Sequence, residues 1–213
     1  MAIQTSTLTV TGKIGNFVGR KGKGGRYVAA KYQPVVANPR TVNQVTYRGK
    51  FSAVAKLSSS LAGWAKKMCK GITKYGTDYS NIMALNPPSV VAVQQQGTDN
   101  FVIDFTKLKL SSGAIQLPYN IVANVDGNDI VVTWTDNSGM GNAEGIDEVC
   151  TVLFNTNKDN TAIYNIAAGK RVDTTVSISV PTSWSSDTLH AFIAFRRDDG
   201  SVSASQYLGS FTV

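Results

Sequence analysis

From residue 118 onward the sequence is a succession of short apolar segments divided by turn chemistry. That rhythm restricts the fold more than any other feature of the chain. Strand-like segments fall near 121–125, 129–135, 148–155, 161–166, 172–180, 189–196 and 202–212, with one more ahead of them at 101–106. "VDGND", "DNSG" and "RDDGS" stand among them and carry the Gly, Asn and Asp that tight turns require. "TTVSISV" alternates apolar and polar residues, as a strand with one buried face does. Seven such strands in about ninety residues specify a β-sandwich of immunoglobulin or fibronectin type.

The front of the chain reads differently. Residues 3–10, "IQTSTLTV", suit a strand or an extended arm. Two further strands are predicted over 13–20 and 26–32, joined by the glycine-rich "KGKGG" as a hairpin. A long helix then follows. Asn38 can cap it with Pro39 at its first position, or Thr41 and Gln44 can form a capping box. It is predicted to run to about Tyr75, with an interruption near Gly63 or Gly71. Tyr47, Phe51, Val54, Leu61, Trp64, Met68 and Ile72 fall on one side, and Arg48, Lys56, Lys66, Lys67, Lys70 and Lys74 on the other. The expected organisation is a basic hairpin–helix module over 1–80, a connecting region over 81–117, and the sandwich over 118–213. The fold class is mainly β with one long helix.

Charge separates these parts. Residues 1–80 hold fourteen basic residues against one acid, Asp78, a formal +13; residues 81–213 hold seven against thirteen, −6. Between Gly12 and Tyr32 stand Lys13, Arg20, Lys21, Lys23, Arg26 and Lys31, with no acid. A compact segment so charged repels itself unless an anion lies close. Lys and Arg neutralise phosphates and release condensed counterions, so nucleic acid is one expected partner. Acidic protein subunits are the other. Phe17, Tyr27 and Tyr32 stack on bases if exposed. The alternative, slightly preferred on sequence alone, buries them as the core of a small sheet packed on the helix.

Catalytic chemistry has few carriers. The single histidine, His190, lies in "TLHAFIAF", apolar on both faces, and is expected as a hydrogen-bonded interior residue. No G-x-S-x-G elbow accompanies it. A Cys150–His190 dyad would lie in a sheet interior, where a thiol is a poor nucleophile. Cys69 and Cys150 are expected as buried free thiols. One histidine and two distant cysteines do not make a zinc site. Asp126, Asn128 and Asp129, and likewise Asp198 and Asp199, read as hairpin turns rather than calcium loops. "GRKGKGG" lacks the Ser or Thr of a phosphate-binding P-loop. No signal peptide or membrane span is expected.

"GKIGNFVGRKGKGGRYV", "NPRTVNQVTYRGKFSAV", "DEVCTVLFN" and "SWSSDTLHAFIAFRRDDGSVSASQYLG", in that order, resemble an uncharacterised domain-of-unknown-function family of Bacteroidota and their gut phages. The resemblance implies a basic hairpin and helix followed by a sandwich, in a phage particle. It brings no catalytic residues. The resulting expectation is a non-enzymatic structural protein of a bacteriophage particle, assembled in the bacterial cytoplasm. It needs no cofactor or metal, and its partners are other virion subunits, further copies of itself, or DNA. The alternative is a cytoplasmic nucleic-acid-binding protein with an accessory sandwich. Under either, Lys13, Arg20, Lys21, Lys23, Arg26, Lys31, Arg48, Lys56, Lys66, Lys67, Lys70 and Lys74 are the binding residues.

Overall fold

The strand rhythm of the second half is realised as two antiparallel sheets. A computed structural model of the protein describes residues 11–22, 25–34, 40–73, 76–87, 90–93 and 101–213. The chain divides into two units, Met1–Thr41 and Val42–Val213.

The first unit holds β1 (Gly12–Ile14), β2 (Phe17–Lys21) and β3 (Tyr27–Lys31), an antiparallel meander in the order β1-β2-β3. The strand predicted over 13–20 is therefore two, β1 and β2, which turn on each other at Gly15, where φ is 56°. The expected arm over residues 3–10, and Lys23 in the turn, lie outside the described residues.

The second unit opens with α1 (Val42–Ser60), α2 (Ala62–Met68) and α3 (Asp78–Leu85), followed by a short ladder of β4 (Val91–Val93) and β5 (Phe101–Ile103). Seven strands follow: β6 (Tyr119–Asp126), β7 (Asp129–Thr135), β8 (Glu148–Asn155), β9 (Thr161–Lys170), β10 (Thr175–Ser179), β11 (Thr188–Arg196) and β12 (Gln206–Thr212). They form a three-stranded sheet, β10-β7-β6, and a four-stranded sheet, β12-β11-β8-β9. Asp126 pairs with Asp129 across a two-residue loop, where Gly127 takes φ 60°, a left-handed conformation that glycine adopts without strain.

Alternation along β8 and β11 places the core. Val149, Leu153, Leu189, Ala191, Ile193 and Phe195 pack with Ile130, Val132 and Trp134 of β7 and Val176 and Ile178 of β10. The intervening residues Cys150, Val152, Phe154, Phe192 and Ala194 point the other way. They meet Val54, Leu57, Leu61, Trp64, Ala65 and Met68 of the helical segment. Both faces of the central strands are thus buried, which is why β8 and β11 read as nearly continuous apolar runs, broken by Thr151 and His190.

The long helix expected to run to about Tyr75 is two helices, α1 and α2, and α3 lies beyond its expected end. Ser58, Ser59 and Ser60 donate side-chain hydrogen bonds to the carbonyls of Val54, Ala55 and Leu57, at 2.8, 3.0 and 2.8 Å. Such hydroxyls compete for helical carbonyls, and Leu61 leaves helical geometry at φ −107°, ψ 20°. A second break follows Met68, where Gly71 turns left-handed at φ 74°. Thr77 caps α3, its hydroxyl accepting from the Ser80 amide at 3.3 Å. At the start of α1, Thr41 stands at the cap position and Gln44 three residues on, while Asn38 and Pro39 lie outside the described residues.

The boundary expected near residue 80 does not coincide with the division after Thr41. The helices belong with the strands because their apolar stripe covers the four-stranded sheet. The connecting region is likewise built in. Phe105, Leu108 and Leu110 are buried in the same core. Trp64 Nε1 and Cys69 Sγ both donate to the Leu110 carbonyl, at 2.8 and 3.1 Å. Asn86 holds the segment by exchanging hydrogen bonds with Lys109, Nδ2 to the carbonyl at 2.7 Å and the amide to Oδ1 at 2.8 Å.

Candidate nucleic-acid interface

Register sorts the side chains of the basic sheet onto two faces. Ile14 pairs with Phe17, Phe17 with Lys31, and Lys21 with Tyr27, so these five share one face. Lys13 pairs with Val18, Val18 with Ala30, and Arg20 with Val28, which places them on the other. Each face therefore mixes cations with apolar groups, and neither is buried. Phe17 is 60% exposed and Tyr27 41%. Among the described residues, these two aromatics do not show the burial that the packed-core alternative expects. Tyr32 is half-buried, with the Lys13 ammonium 3.8 Å from its ring centre. Lys21 stands 5.9 Å from the ring of Tyr27, at the edge of cation–π range.

Lys13, Arg20, Lys21, Arg26 and Lys31 are all exposed, and none pairs with a carboxylate of a described residue. An uncompensated cationic sheet with exposed rings can neutralise phosphates and stack on bases without reading sequence.

The helical cations are arranged otherwise. Arg48, Lys56, Lys66, Lys67 and Lys70 are exposed on the second unit, and Lys74 lies outside the described residues. Lys56 reaches Asp159 at 3.6 Å in solvent. That pair borders a cleft of about 310 Å³ lined by Gly49, Ser52, Ala53, Phe101 and Ile103. The apolar stripe is also displaced from its expected line. Tyr47 and Phe51 are 67% and 53% exposed, whereas Leu57 and Ala65 are buried in their stead.

Cys150 and His190 lie apart in the sheet. Cys150 pairs with Ala194 and His190 with Phe154 across the same ladder. The two side chains are thus four residues apart along the strand, about 13 Å, and form no dyad. Cys150 Sγ donates to the Ile166 carbonyl at 3.2 Å, and burial pushes its pKa up to about 12. Cys69 is pushed to about 12 by burial and by the charge of Asp78. His190 Nδ1 shares a 2.8 Å hydrogen bond with the Tyr207 hydroxyl, and its ring stacks on Phe105 at 4.0 Å. Burial lowers its pKa. The two acidic turns find partners within the fold. Asp129 accepts from the Ser177 hydroxyl at 2.8 Å and Asp199 from the Ser201 amide at 2.7 Å. No group of three metal-ligating side chains occurs among the described residues. Nor is any helix among them long and apolar enough to cross a membrane.

A model for the family of unknown function DUF6266 matches residues 9–209. The chain belongs to the DUF6266 family. No curated protein matches it significantly. Among solved structures it is similar to the Clostridium perfringens spore cortex lytic enzyme SleM, at 22% identity and a TM-score of 0.26. That match covers 43% of this chain and 27% of the enzyme, and likeness at this level implies neither a fold nor an activity.

One feature of this DUF6266 protein has no counterpart in the sequence reading. Arg171 and Asp147 are both wholly buried. The guanidinium donates through Nε to Asp147 Oδ2 at 3.1 Å, through Nη1 to Asn137 Oδ1 at 2.6 Å, and through Nη2 to the Gln116 carbonyl at 2.9 Å. It also lies 4.5 Å from the ring centre of Phe195. Asp147 accepts further from the Glu144 amide at 2.9 Å and from Arg197 Nε at 2.8 Å. Burial lowers the pKa of Arg171, and Asp147 opposes that shift. Every partner is supplied within the fold, so the knot is structural. Its only trace in the sequence is a pair of charges in separate loops, which does not announce their meeting.

Proposed function

We propose that the protein is a non-enzymatic structural component of a bacteriophage particle that binds nucleic acid through the basic sheet of residues 12–31. The observation carrying this reading is the sheet itself. Its described cations lack acidic partners, and Phe17 and Tyr27 stand exposed among them. A small three-stranded sheet with few buried side chains of its own is marginal alone, and a bound polyanion would stabilise it by mass action. The phage setting rests on the sequence resemblance. The second unit supports a scaffold role: we read its β10-β7-β6 and β12-β11-β8-β9 sheets as an immunoglobulin/fibronectin-like sandwich, a frequent architecture in docking and spacing domains. Self-association into a homo-oligomer belongs to the same proposal.

The test is anisotropy of labelled DNA across about 50–200 mM salt. Affinity should fall with a log–log slope of about −0.7 per phosphate met on a single strand, hence about −3.5 if five cations engage. Reversing Arg20, Lys21, Lys23 and Arg26 to Glu should abolish retention. Binding that survives the reversal would exclude the sheet as the contact. Absence of binding at the lowest salt, with symmetric oligomers in solution, would instead assign the charge to acidic subunits.

A further inference from the structure

The two faces of the basic sheet are chemically unequal. On one, Phe17 lies beside Lys31 and Tyr27 beside Lys21, each aromatic directly across the ladder from a cation. The two ends of this face are four residues apart along β2, about 13 Å. Between them the row Gly12, Gly19, Ala29 raises no large side chain. On the opposite face the ring of Tyr32 is half-buried beneath Lys13, and the remaining apolar groups are Val18, Val28 and Ala30. Among the described residues of the sheet, the largely exposed aromatic rings, Phe17 and Tyr27, both stand on the first face.

Resting on the nucleic-acid reading above, we propose that the Phe17–Tyr27 face selects single-stranded nucleic acid, stacking unpaired bases on its two rings while Lys21 and Lys31 take the flanking phosphates. Duplex bases are already stacked on one another and cannot reach a flat aromatic face, whereas every unpaired base has a free π-face. Backbone cations alone would hold either form. A cation beside each ring suits the alternation of base and phosphate along one strand. The span of about 13 Å corresponds to about four base steps of ~3.4 Å, so a short contact of a few nucleotides is expected. The absence of acids from residues 12–32 leaves an anion as the complementary partner, and the rings narrow that anion to one carrying bases.

The experiment compares a labelled oligothymidylate with a duplex of equal phosphate number, using the full chain. The wild type should hold the single strand more tightly. Phe17→Ala and Tyr27→Ala should each weaken single-strand binding on the order of tenfold to a hundredfold, while duplex affinity and the salt slope stay within about twofold. Both side chains are exposed, so native circular dichroism is expected, and a second measurement needs no variant. Photocrosslinking of wild-type protein to iodouracil-substituted oligonucleotide should map to Phe17 or Tyr27. Equal losses for both DNA forms, or crosslinks confined to the Lys13–Arg20 face, would overturn the face assignment while leaving a nucleic-acid-binding sheet. If the wild type binds neither form, the underlying reading fails as well.

Discussion

Replacing Asp147 with Asn should destabilise the second unit severely. The substitution keeps the size and shape of the side chain and removes its charge. In the native fold the carboxylate is wholly buried and accepts from Arg171 Nε at 3.1 Å, Arg197 Nε at 2.8 Å and the Glu144 amide at 2.9 Å. An amide can present only one oxygen to these donors, and its own NH2 would face a guanidinium. Arg171, wholly buried, would lose the carboxylate that it is hydrogen-bonded to. Breaking a buried pair in this way costs about 3–5 kcal/mol, a large part of the ~5–15 kcal/mol that holds a domain together. For a domain of this size each kcal/mol moves Tm by about 2–4 °C, so a fall of about 6–20 °C is expected. Urea denaturation followed by tryptophan emission, with the slope m unchanged, would measure it. Asp126→Asn, at an exposed acid in the β6–β7 turn away from the Asp147 contacts, serves as the control and should cost no more than ~0.5 kcal/mol. Replacing the pair together, Arg171→Met with Asp147→Leu, should recover part of the loss, because no bare charge remains. A loss below about 1 kcal/mol for Asp147→Asn would refute the view that this carboxylate compensates a desolvated guanidinium.

Two further outcomes follow from the core. Cys69 and Cys150, both pushed to about 12, should resist a thiol reagent in the native protein and react fully once it is unfolded; native reactivity would contradict their burial. Because folding raises both values above the ordinary 9.0, their contribution to stability is complete below pH 9 and is lost as pH climbs toward 12. Cys69→Ala with Cys150→Ala should flatten that alkaline decline in a series of melts. Gly113→Ala would set a Cβ 2.1 Å from the Val202 carbonyl oxygen, a backbone atom that cannot swing aside. It should cost about 1–3 kcal/mol, and a thermal melt indistinguishable from wild type would show that this approach is looser than it stands.

Much of the architecture is legible in residue order. The seven strands of the second half lie within a few residues of their predicted positions, because turn residues and period-two alternation are local properties. The helical stripe is less legible. Tyr47 and Phe51 keep the spacing of Val54, Leu61, Trp64 and Met68, yet they are exposed while the others are buried. Periodicity defines a face but not how far along the helix a neighbour covers it. The same ambiguity attends Phe17 and Tyr27, for which the pattern permits both burial and exposure and slightly favours burial. The structure exposes both side chains among the described residues.

The sequence by itself determined that the chain is mainly β, that its carboxylates gather behind residue 80, and that its front carries unbalanced positive charge. Composition and short-range periodicity suffice for those properties. Tertiary structure decided which layers pair. It placed the helices against the four-stranded sheet, made the connecting segment part of that core, and brought Arg171 to Asp147 across twenty-four positions. Burial and charge pairing depend on which surfaces meet, and distant residues meet only once the layers have closed.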